Sequence, residues 1–175
     1  PVHDTFARLE REKMLCSVPR GAVVPPLDPA AITQLIWMYR TATLAAMGEL
    51  YTSRPATLEP LERCVAREYE ALRGGALLQM ARLEQEFLTE LYRLADRLPV
   101  LGALRSTGAD LYRLLRMVED GRMWHYIVDR HADLVQALAL RDHDAAAAAL
   151  HAEYDLFEPL LEECRYTYPG FFRQD

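Results

Sequence analysis

The chain has 175 residues, of which 51% are hydrophobic, with 26 acidic against 20 basic side chains and three cysteines. The apolar content excludes intrinsic disorder, and the few glycines and cysteines exclude collagen-like and disulfide-framework proteins. The formal net charge of -6 argues, for the chain as a whole, against a nucleic-acid-binding surface. No stretch approaches the roughly 20 apolar residues of a membrane span and no signal peptide is visible, so we expect a cytoplasmic protein.

The charge is divided unevenly between two parts of the chain. Residues 1–24 carry four basic and three acidic side chains, whereas residues 25–175 carry 16 basic and 23 acidic ones. A proline-rich segment from Pro19 to Pro29 separates the two parts. We therefore expect a small N-terminal unit at residues 1–24 and one larger domain at residues 25–175, and the acidity of the chain belongs to the larger domain.

The N-terminal unit combines a helix pattern with two short strand patterns. The spacing of its apolar residues predicts a helix over residues 2–15. Two β-prone runs, 15–18 and 22–24, flank Pro19-Arg20-Gly21, which is a turn signal. One helix and two strands cannot form a core alone, so this unit needs a partner or a missing half. Because the chain opens on Pro1 rather than methionine, we expect its true N-terminus to be missing.

Residues from Pro29 onward carry helix signals only. Asp28 before Pro29 is an N-cap followed by a proline in the first turn, and Thr57 and Asp142 are further N-caps. These signals and the apolar periodicity predict an all-α, antiparallel bundle of about six helices, at about residues 29–51, 57–73, 76–97, 99–120, 123–140 and 142–159. We expect the aromatic tail at residues 166–172 to pack against this bundle.

Three ionisable side chains fall on apolar stripes of three different predicted helices. They are Glu84, His131 and Glu153, and a charge buried there without a partner would cost several kcal/mol. Two carboxylates and an imidazole that meet in a bundle core could bind a divalent cation. In the alternative interpretation, His131 is a hydrogen-bonded core histidine and each glutamate tilts toward solvent. A fourth polar residue, Arg40, lies at the edge of the first stripe.

Other chemistries have weaker support. None of the five histidines follows a glutamate by three residues, as a carboxylate-bridged di-iron bundle requires. Glycine-rich nucleotide loops and the hydrolase and zinc-protease motifs are absent from the sequence. His125 and Asp129 lie four residues apart on one helix face, which fits either a ligand contact or a surface pair. The sequence therefore gives no support for an enzyme.

Five stretches, in the right order, are similar to motifs of a known family. Residues 1–15 resemble PVREALRRLEAEGLV, residues 18–24 resemble the wing PRRGAFV, and residues 26–32 resemble the start of an effector domain. Residues 95–101 resemble ASGNPLL, and residues 130–146 resemble EHRAILEALRARDADAA. The ordered set resembles GntR-type bacterial transcription regulators of the FCD subfamily, which have an all-helical C-terminal domain.

This resemblance implies a DNA-binding, effector-responsive regulator. The chain would begin inside the recognition helix of a winged helix-turn-helix, so that residues 1–24 are its second half. The candidate DNA contacts are His3, Thr5 and Arg20, and His3 stands where the family commonly has arginine. The partners implied are operator DNA, a small carboxylate-containing effector and a second copy of the chain. No membrane partner is implied. The alternative is a stand-alone helical small-molecule or metal-binding module without a DNA role.

The resemblance also implies a metal site. The family's four ligand positions correspond to Glu84, Leu88, His131 and Glu153, of which Leu88 supplies no ligand. At most three protein ligands are then left for a divalent ion, Zn, Mn or Mg. Some members lack the metal, and a His131 imidazolium between Glu84 and Glu153 would then be an internal substitute.

The effector is expected near the same residues. Glu84, His131 and Glu153 are candidate effector-binding residues, together with Arg40 and His125. Arg40 is similar to the family's arginine in the first effector-domain helix, and a buried guanidinium can bind a carboxylate through two hydrogen bonds. A salt bridge from Arg40 to a neighbouring acid is the equal alternative.

Overall fold

The computed structural model of the chain describes residues 2–11, 14–53, 55, 57–107 and 109–173. One helix and a two-stranded hairpin precede a series of packed helices: α1 (Val2–Arg11), β1 (Cys16–Val18), β2 (Gly21–Val23), α2 (Pro29–Ser53), α3 (Glu59–Arg73), α4 (Met80–Leu94), α5 (Leu98–Thr107), α6 (Asp110–Leu115), α7 (Gly121–Leu140), α8 (His143–Tyr154) and α9 (Phe157–Thr167). Short 3-10 turns stand at Leu77–Gln79 and Pro169–Phe171. The predicted all-α bundle with an N-terminal helix and hairpin is confirmed.

The N-terminal hairpin is small and exposed. β1 and β2 are antiparallel, with Cys16 opposite Val23 and Val18 opposite Gly21. Gly21 is the first residue of β2, directly after the turn that joins the strands. Its φ is +134°, a backbone conformation that favours glycine. Both strands are exposed along their length, and among the described residues the hydrophobic core begins only at Leu27. The described residues of this part therefore form no core of their own.

The long helix α2 forms the centre of the bundle. Its buried residues recur every three or four positions, at Ile32, Leu35, Ile36, Tyr39, Thr43, Ala46, Met47 and Leu50. α2 packs against α4, α5, α6, α8 and α9, while α3 packs against α4 and α7, and α7 lies along α8. The interior is filled by large side chains that include Trp124, Tyr92, Tyr154, Phe87 and Phe157. No helix among the described residues has the length and apolar character needed to cross a membrane.

Aspartate side chains cap the helices where the sequence predicts starts. Asp28 Oδ1 accepts hydrogen bonds from the amides of Ala30 and Ala31, at 3.0 and 3.2 Å. Asp142 accepts one from Ala145 at 2.9 Å. These contacts satisfy amide groups that have no partner within the first turn of a helix. The predicted starts of α2 and α8 are thus confirmed.

Two of the six predicted helices are each divided in two. The stretch predicted at 99–120 forms α5 and α6, and the hydroxyls of Ser106 and Thr107 accompany the end of α5 by donating to carbonyls of their own helix. The stretch predicted at 142–159 forms α8 and α9. Pro159 lies in the first turn of α9, where a missing N–H costs little, so it begins a helix rather than ending one.

The aromatic tail packs against the start of the domain, as predicted. The amide of Leu27 donates to the carbonyl of Phe171 at 2.8 Å, and the amide of Arg173 donates to the carbonyl of Leu27 at 2.8 Å. Phe172 forms an isolated parallel bridge with Leu27, and its side chain is buried. The two ends of the helical domain are therefore held together beside α2.

Candidate functional site

The structure brings ionisable side chains from several helices into the interior of the bundle. His131 on α7 lies between two carboxylates, with its Nδ1 2.9 Å from Glu68 Oε2 and its Nε2 3.5 Å from Glu153 Oε1. Glu84 on α4 is buried close enough to both Glu153 and His131 to feel their charges. All four side chains are at most 3% exposed. The predicted burial of Glu84, His131 and Glu153 is therefore observed, and none of the three tilts to solvent.

Glu68 is the member of this cluster that the sequence analysis missed. It lies on α3 and is 1% exposed, on the same helix face as the buried residues Leu61, Cys64 and Leu72. Those positions form an apolar stripe at helical spacing, which is the pattern that identified Glu84, His131 and Glu153. The same reasoning applied to α3 would have found Glu68.

The surroundings of His131 favour the imidazolium form. Burial alone would lower the pKa of His131, but the carboxylates of Glu68 and Glu153 outweigh it and hold this pKa well above its usual value. The ring of Phe87 stacks on the imidazole, with 3.9 Å between ring centroids and 7° between planes. His131 is thus a positive charge clamped between two acids and fixed in plane by an aromatic ring.

The surroundings of Glu84 favour its protonated form, unlike those of an ordinary surface carboxylate. Burial, followed by repulsion from Glu153, raises the pKa of Glu84 from 4.5 to about 8, although His131 acts against the shift. The side-chain amide of Gln85 donates a hydrogen bond of 2.8 Å to Glu84 Oε2. At neutral pH Glu84 is therefore largely the neutral acid, which can donate a hydrogen bond as well as accept one.

A cavity of about 560 Å³ opens beside Glu84. This volume is within the range of sites for small organic molecules. Residues of several helices and one of the N-terminal unit line it: Met14, Tyr39, Arg82, Glu84, Gln85, Leu88, Gly102, Arg105, Ser106, Ala109, Leu111, Tyr112, Leu115, Tyr154 and Phe157. The ion cluster of His131 therefore lies behind the cavity, and Glu84 belongs to both.

Of the five residues predicted for effector binding, only Glu84 is among the described residues that line the cavity. His131 and Glu153 belong to the cluster behind it, and the other two lie elsewhere. Arg40 does not line the cavity, and its Nη2 lies 2.5 Å from Asp155 Oδ1 in a partly exposed ion pair. This is the alternative that the sequence left open for Arg40. His125 is exposed near the start of α7, where its Nδ1 is 2.7 Å from the carbonyl of Gly121. Asp129 instead accepts a hydrogen bond of 2.6 Å from Tyr69. The arginines that do line the cavity are Arg82 and Arg105.

The predicted DNA-contacting residues lie in the N-terminal unit. Thr5 is exposed on α1, and Arg20 is exposed in the turn between β1 and β2. The side chain of His3 lies outside the described residues.

A divalent metal ion at the buried cluster would need about three protein ligands. In the part of the chain that the structure describes, no group of three or more His, Cys, Asp or Glu side chains is placed to hold a metal ion. Among the described atoms of the cluster, His131 Nε2 and Glu153 Oε1 have no hydrogen-bond partner and are free to bind a metal ion. Leu88 has no atom that could bind one. The described arrangement does not fit a three-ligand metal, so the metal site stays a prediction of the resemblance.

The arrangement matches instead the internal substitute expected where the metal is absent, with one correction. The two acids that flank the imidazole are Glu68 and Glu153, not Glu84 and Glu153. α3 packs directly against α7, which brings Glu68 to Nδ1, whereas Glu84 faces the cavity.

Fold and site together define an all-helical bundle with a cavity beside a buried cluster of acids and histidine. The family profile of the FCD domain matches residues 40–155, which is more than half of the chain. The chain therefore belongs to the FCD domain family, which confirms this part of the resemblance. No curated protein matches the chain in sequence.

Solved structures share the fold at low sequence identity. A structure of E. coli McbR/YncC has a TM-score of 0.79 at 15% identity and covers 93% of this chain and 79% of its own. A second structure is that of Lar, which controls the expression of the Listeria monocytogenes agr system and mediates virulence. It has a TM-score of 0.69 at 14% identity and covers 93% of this chain and 79% of its own. A GntR family transcriptional regulator from Pseudomonas syringae pv. tomato str. DC3000 has a TM-score of 0.62 at 17% identity, covering 97% and 72%. At these identities the likeness establishes the fold alone.

Proposed function

We propose that the chain is the effector-sensing part of a DNA-binding transcription regulator that acts as a homodimer and responds to a small carboxylate-containing molecule. The observation that carries this proposal is the cavity of about 560 Å³ inside an FCD domain, with arginines on a mostly apolar wall. Such a cavity fits a small organic acid, because its apolar wall buries the body of the ligand and its cationic groups hold the charged end.

The N-terminal unit contacts this cavity directly, which gives the effector a way to act on DNA binding. Met14 is part of the cavity wall, and its amide donates a 2.8 Å hydrogen bond to the carbonyl of Leu9 on α1. Arg113 on α6 donates a 2.7 Å hydrogen bond to the carbonyl of Pro25, which follows β2. A ligand that displaces Met14 would therefore shift α1 and the hairpin relative to the bundle and change operator affinity.

DNA contact is assigned to the N-terminal unit rather than to the helical domain. Residues 1–24 carry more basic than acidic side chains, while residues 25–175 are acidic. His3, Thr5 and Arg20 are the residues we propose for this contact, on the strength of the resemblance to a recognition helix and wing.

The experiment is a DNA-binding titration of the full-length product of the natural gene with its own promoter DNA. Affinity is expected to fall steeply with salt concentration, because binding releases counterions from the phosphates. Light scattering of the same sample should give the mass of a dimer. Promoter DNA that binds no more tightly than unrelated DNA at every salt concentration would refute the regulator proposal.

One observation favours the second candidate, a stand-alone small-molecule module. Apart from Met14, every described residue that lines the cavity belongs to the helical domain, and so do the four described members of the buried ion cluster. Ligand binding with no effect of the ligand on promoter affinity would favour this alternative.

A further inference from the structure

Arg105 on α5 is a cation on the cavity wall that neutral groups hold in place. Its Nε donates to Gln85 Oε1 at 3.1 Å, and its Nη2 donates to the Gln85 carbonyl and to Thr89 Oγ1, both at 2.9 Å. These three bonds use the hydrogens of Nε and Nη2. Among the described residues, Nη1 has no protein partner and the guanidinium has no carboxylate partner.

The absence of an acid distinguishes Arg105 from the other arginines near the site. Arg82, on the same wall, pairs with the carboxylate of Glu86, and Arg40 pairs with Asp155. A partly buried charge without a counter-ion is costly, because it loses water without gaining an opposite charge. The unbalanced charge of Arg105 therefore fits a site that an anion from solution completes.

The guanidinium of Arg105 is also held in one orientation before any ligand arrives. Gln85, which accepts from Arg105, donates from its amide to Glu84 at 2.8 Å, so that the backing of Arg105 is itself fixed. A pre-oriented group loses little conformational entropy on binding, and this favours affinity.

A second polar group lies on the same cavity wall as Arg105. It is the hydroxyl of Tyr39, a residue of α2 that lines the cavity. A hydroxyl and a guanidinium on one wall give a carboxylate one neutral and one charged donor. Much of the remaining wall is apolar, formed by Met14, Leu88, Ala109, Leu111, Leu115 and Phe157.

We propose that Arg105, with Tyr39 on the same wall, is the group that binds the charged end of a small monocarboxylate whose apolar body fills the cavity. The inference rests on the proposed function in taking the cavity as the effector site. It assigns recognition to α5 and not to Arg40 of α2. A doubly charged phosphate fits less well, because one unpaired guanidinium leaves a second negative charge unbalanced against an apolar wall.

The experiment measures binding of hexanoate to the chain by calorimetry, with the neutral hexanamide and inorganic phosphate as comparisons. Hexanoate is expected to bind wild type more tightly than either comparison. Arg105→Gln should weaken hexanoate binding about 10- to 100-fold, since a charge-assisted hydrogen bond is lost, and Tyr39→Phe about three- to tenfold. Arg93→Gln, which removes an exposed charge paired with Glu90 on α4, is the control for general charge effects.

Several results would overturn the assignment. They are equal binding of hexanamide and hexanoate to wild type, tighter binding of phosphate, no binding of hexanoate, or full affinity in Arg105→Gln. Loss of binding in Arg40→Gln with retention in Arg105→Gln would return the role to Arg40. Should Arg105→Gln fail to fold, full hexanoate affinity in Tyr39→Phe, or equal binding of hexanoate and hexanamide to wild type, overturns the assignment. Since no arm uses DNA, failure here is distinct from failure of promoter binding.

Discussion

Nδ1 of His131 lies 2.9 Å from Glu68 Oε2, and neither side chain is more than 1% exposed. Removing one member of a buried ion pair leaves the other charge without compensation in the interior. We therefore expect Glu68→Gln to lower the free energy of unfolding at pH 6.5 by about 3 kcal/mol. Urea denaturation followed by circular dichroism measures this quantity.

The control for this variant is Glu70→Gln on the same helix, at an exposed position. A surface substitution of this kind should change the free energy of unfolding by less than about 0.5 kcal/mol. The pKa of His131, followed by NMR, should also fall in Glu68→Gln, because the largest attraction that opposes desolvation is lost. Equal stability of the two variants would contradict a structural role for the Glu68–His131 pair.

Glu84 gives the chain a pH dependence of defined sign. Its pKa is raised from 4.5 to about 8, so the folded chain holds this proton more tightly than the unfolded chain. The corresponding stability is complete below pH 4.5 and is lost as the pH rises through about 8. Glu84→Gln is neutral at every pH, and its stability relative to wild type should rise by on the order of 3 kcal/mol between pH 5 and pH 9.

The measurement for Glu84 is a series of denaturation curves for both proteins in chelator-treated buffer. Charges that face Glu84 come from Glu153 on α8, His131 on α7 and Glu68 on α3, and all three are present in both proteins. Because they interact with Glu84, the difference between the curves reports the titration of Glu84 as a member of this coupled cluster. A stability difference that is flat with pH would show that Glu84 titrates normally.

Helical periodicity was enough to predict the fold and most of the buried cluster. Glu84, His131 and Glu153 are visible in the sequence because each interrupts an apolar stripe, and burial in a bundle follows from that pattern. Glu68 obeys the same pattern but has no counterpart among the positions that the family resemblance points to. Its sequence signal is therefore of the same kind as that of the other three residues.

The choice of arginine could not be made from the sequence. Arg40 and Arg105 both lie on helices with apolar faces, and each could turn toward a ligand or toward an acid. Asp155 is 115 residues from Arg40 in the chain, so their pairing depends on how α2 meets the end of α8. Gln85 and Thr89 likewise reach Arg105 through the packing of α4 against α5. Tertiary contacts of this kind have no local sequence signature.

Three buried hydroxyls form a polar cluster at the cavity wall, to which Tyr154 belongs. Thr43 Oγ1 lies 3.1 Å from Tyr92 Oη and 3.0 Å from Tyr154 Oη, and all three residues are at most 1% exposed. Thr43→Val keeps the shape of the side chain but leaves both phenols without this partner, which should cost about 1–3 kcal/mol of stability. Thr33→Val, at an exposed position on the same helix, is the matched control and should cost much less. Equal losses in the two variants would indicate a general effect of exchanging threonine for valine on α2 instead of the hydroxyl cluster.

Leu88 offers the sharpest test of the metal prediction. It is 2% exposed on the cavity wall, one helical turn after Glu84, and it stands where the resemblance places a ligand. Leu88→His supplies an imidazole four residues from Glu84, on the same face of α4, and raises the number of possible metal ligands to four.

We expect wild type purified without chelator to carry well under one metal ion per chain, with a melting temperature unchanged by EDTA. Leu88→His should retain close to one Zn and lose stability when EDTA is added, because metal binding contributes to folding. The measurements are elemental analysis and thermal melting, with Leu88→Met as the control that adds no imidazole. A full complement of metal in wild type, removed by EDTA with a fall in melting temperature, would mean that Glu84, His131 and Glu153 suffice as ligands.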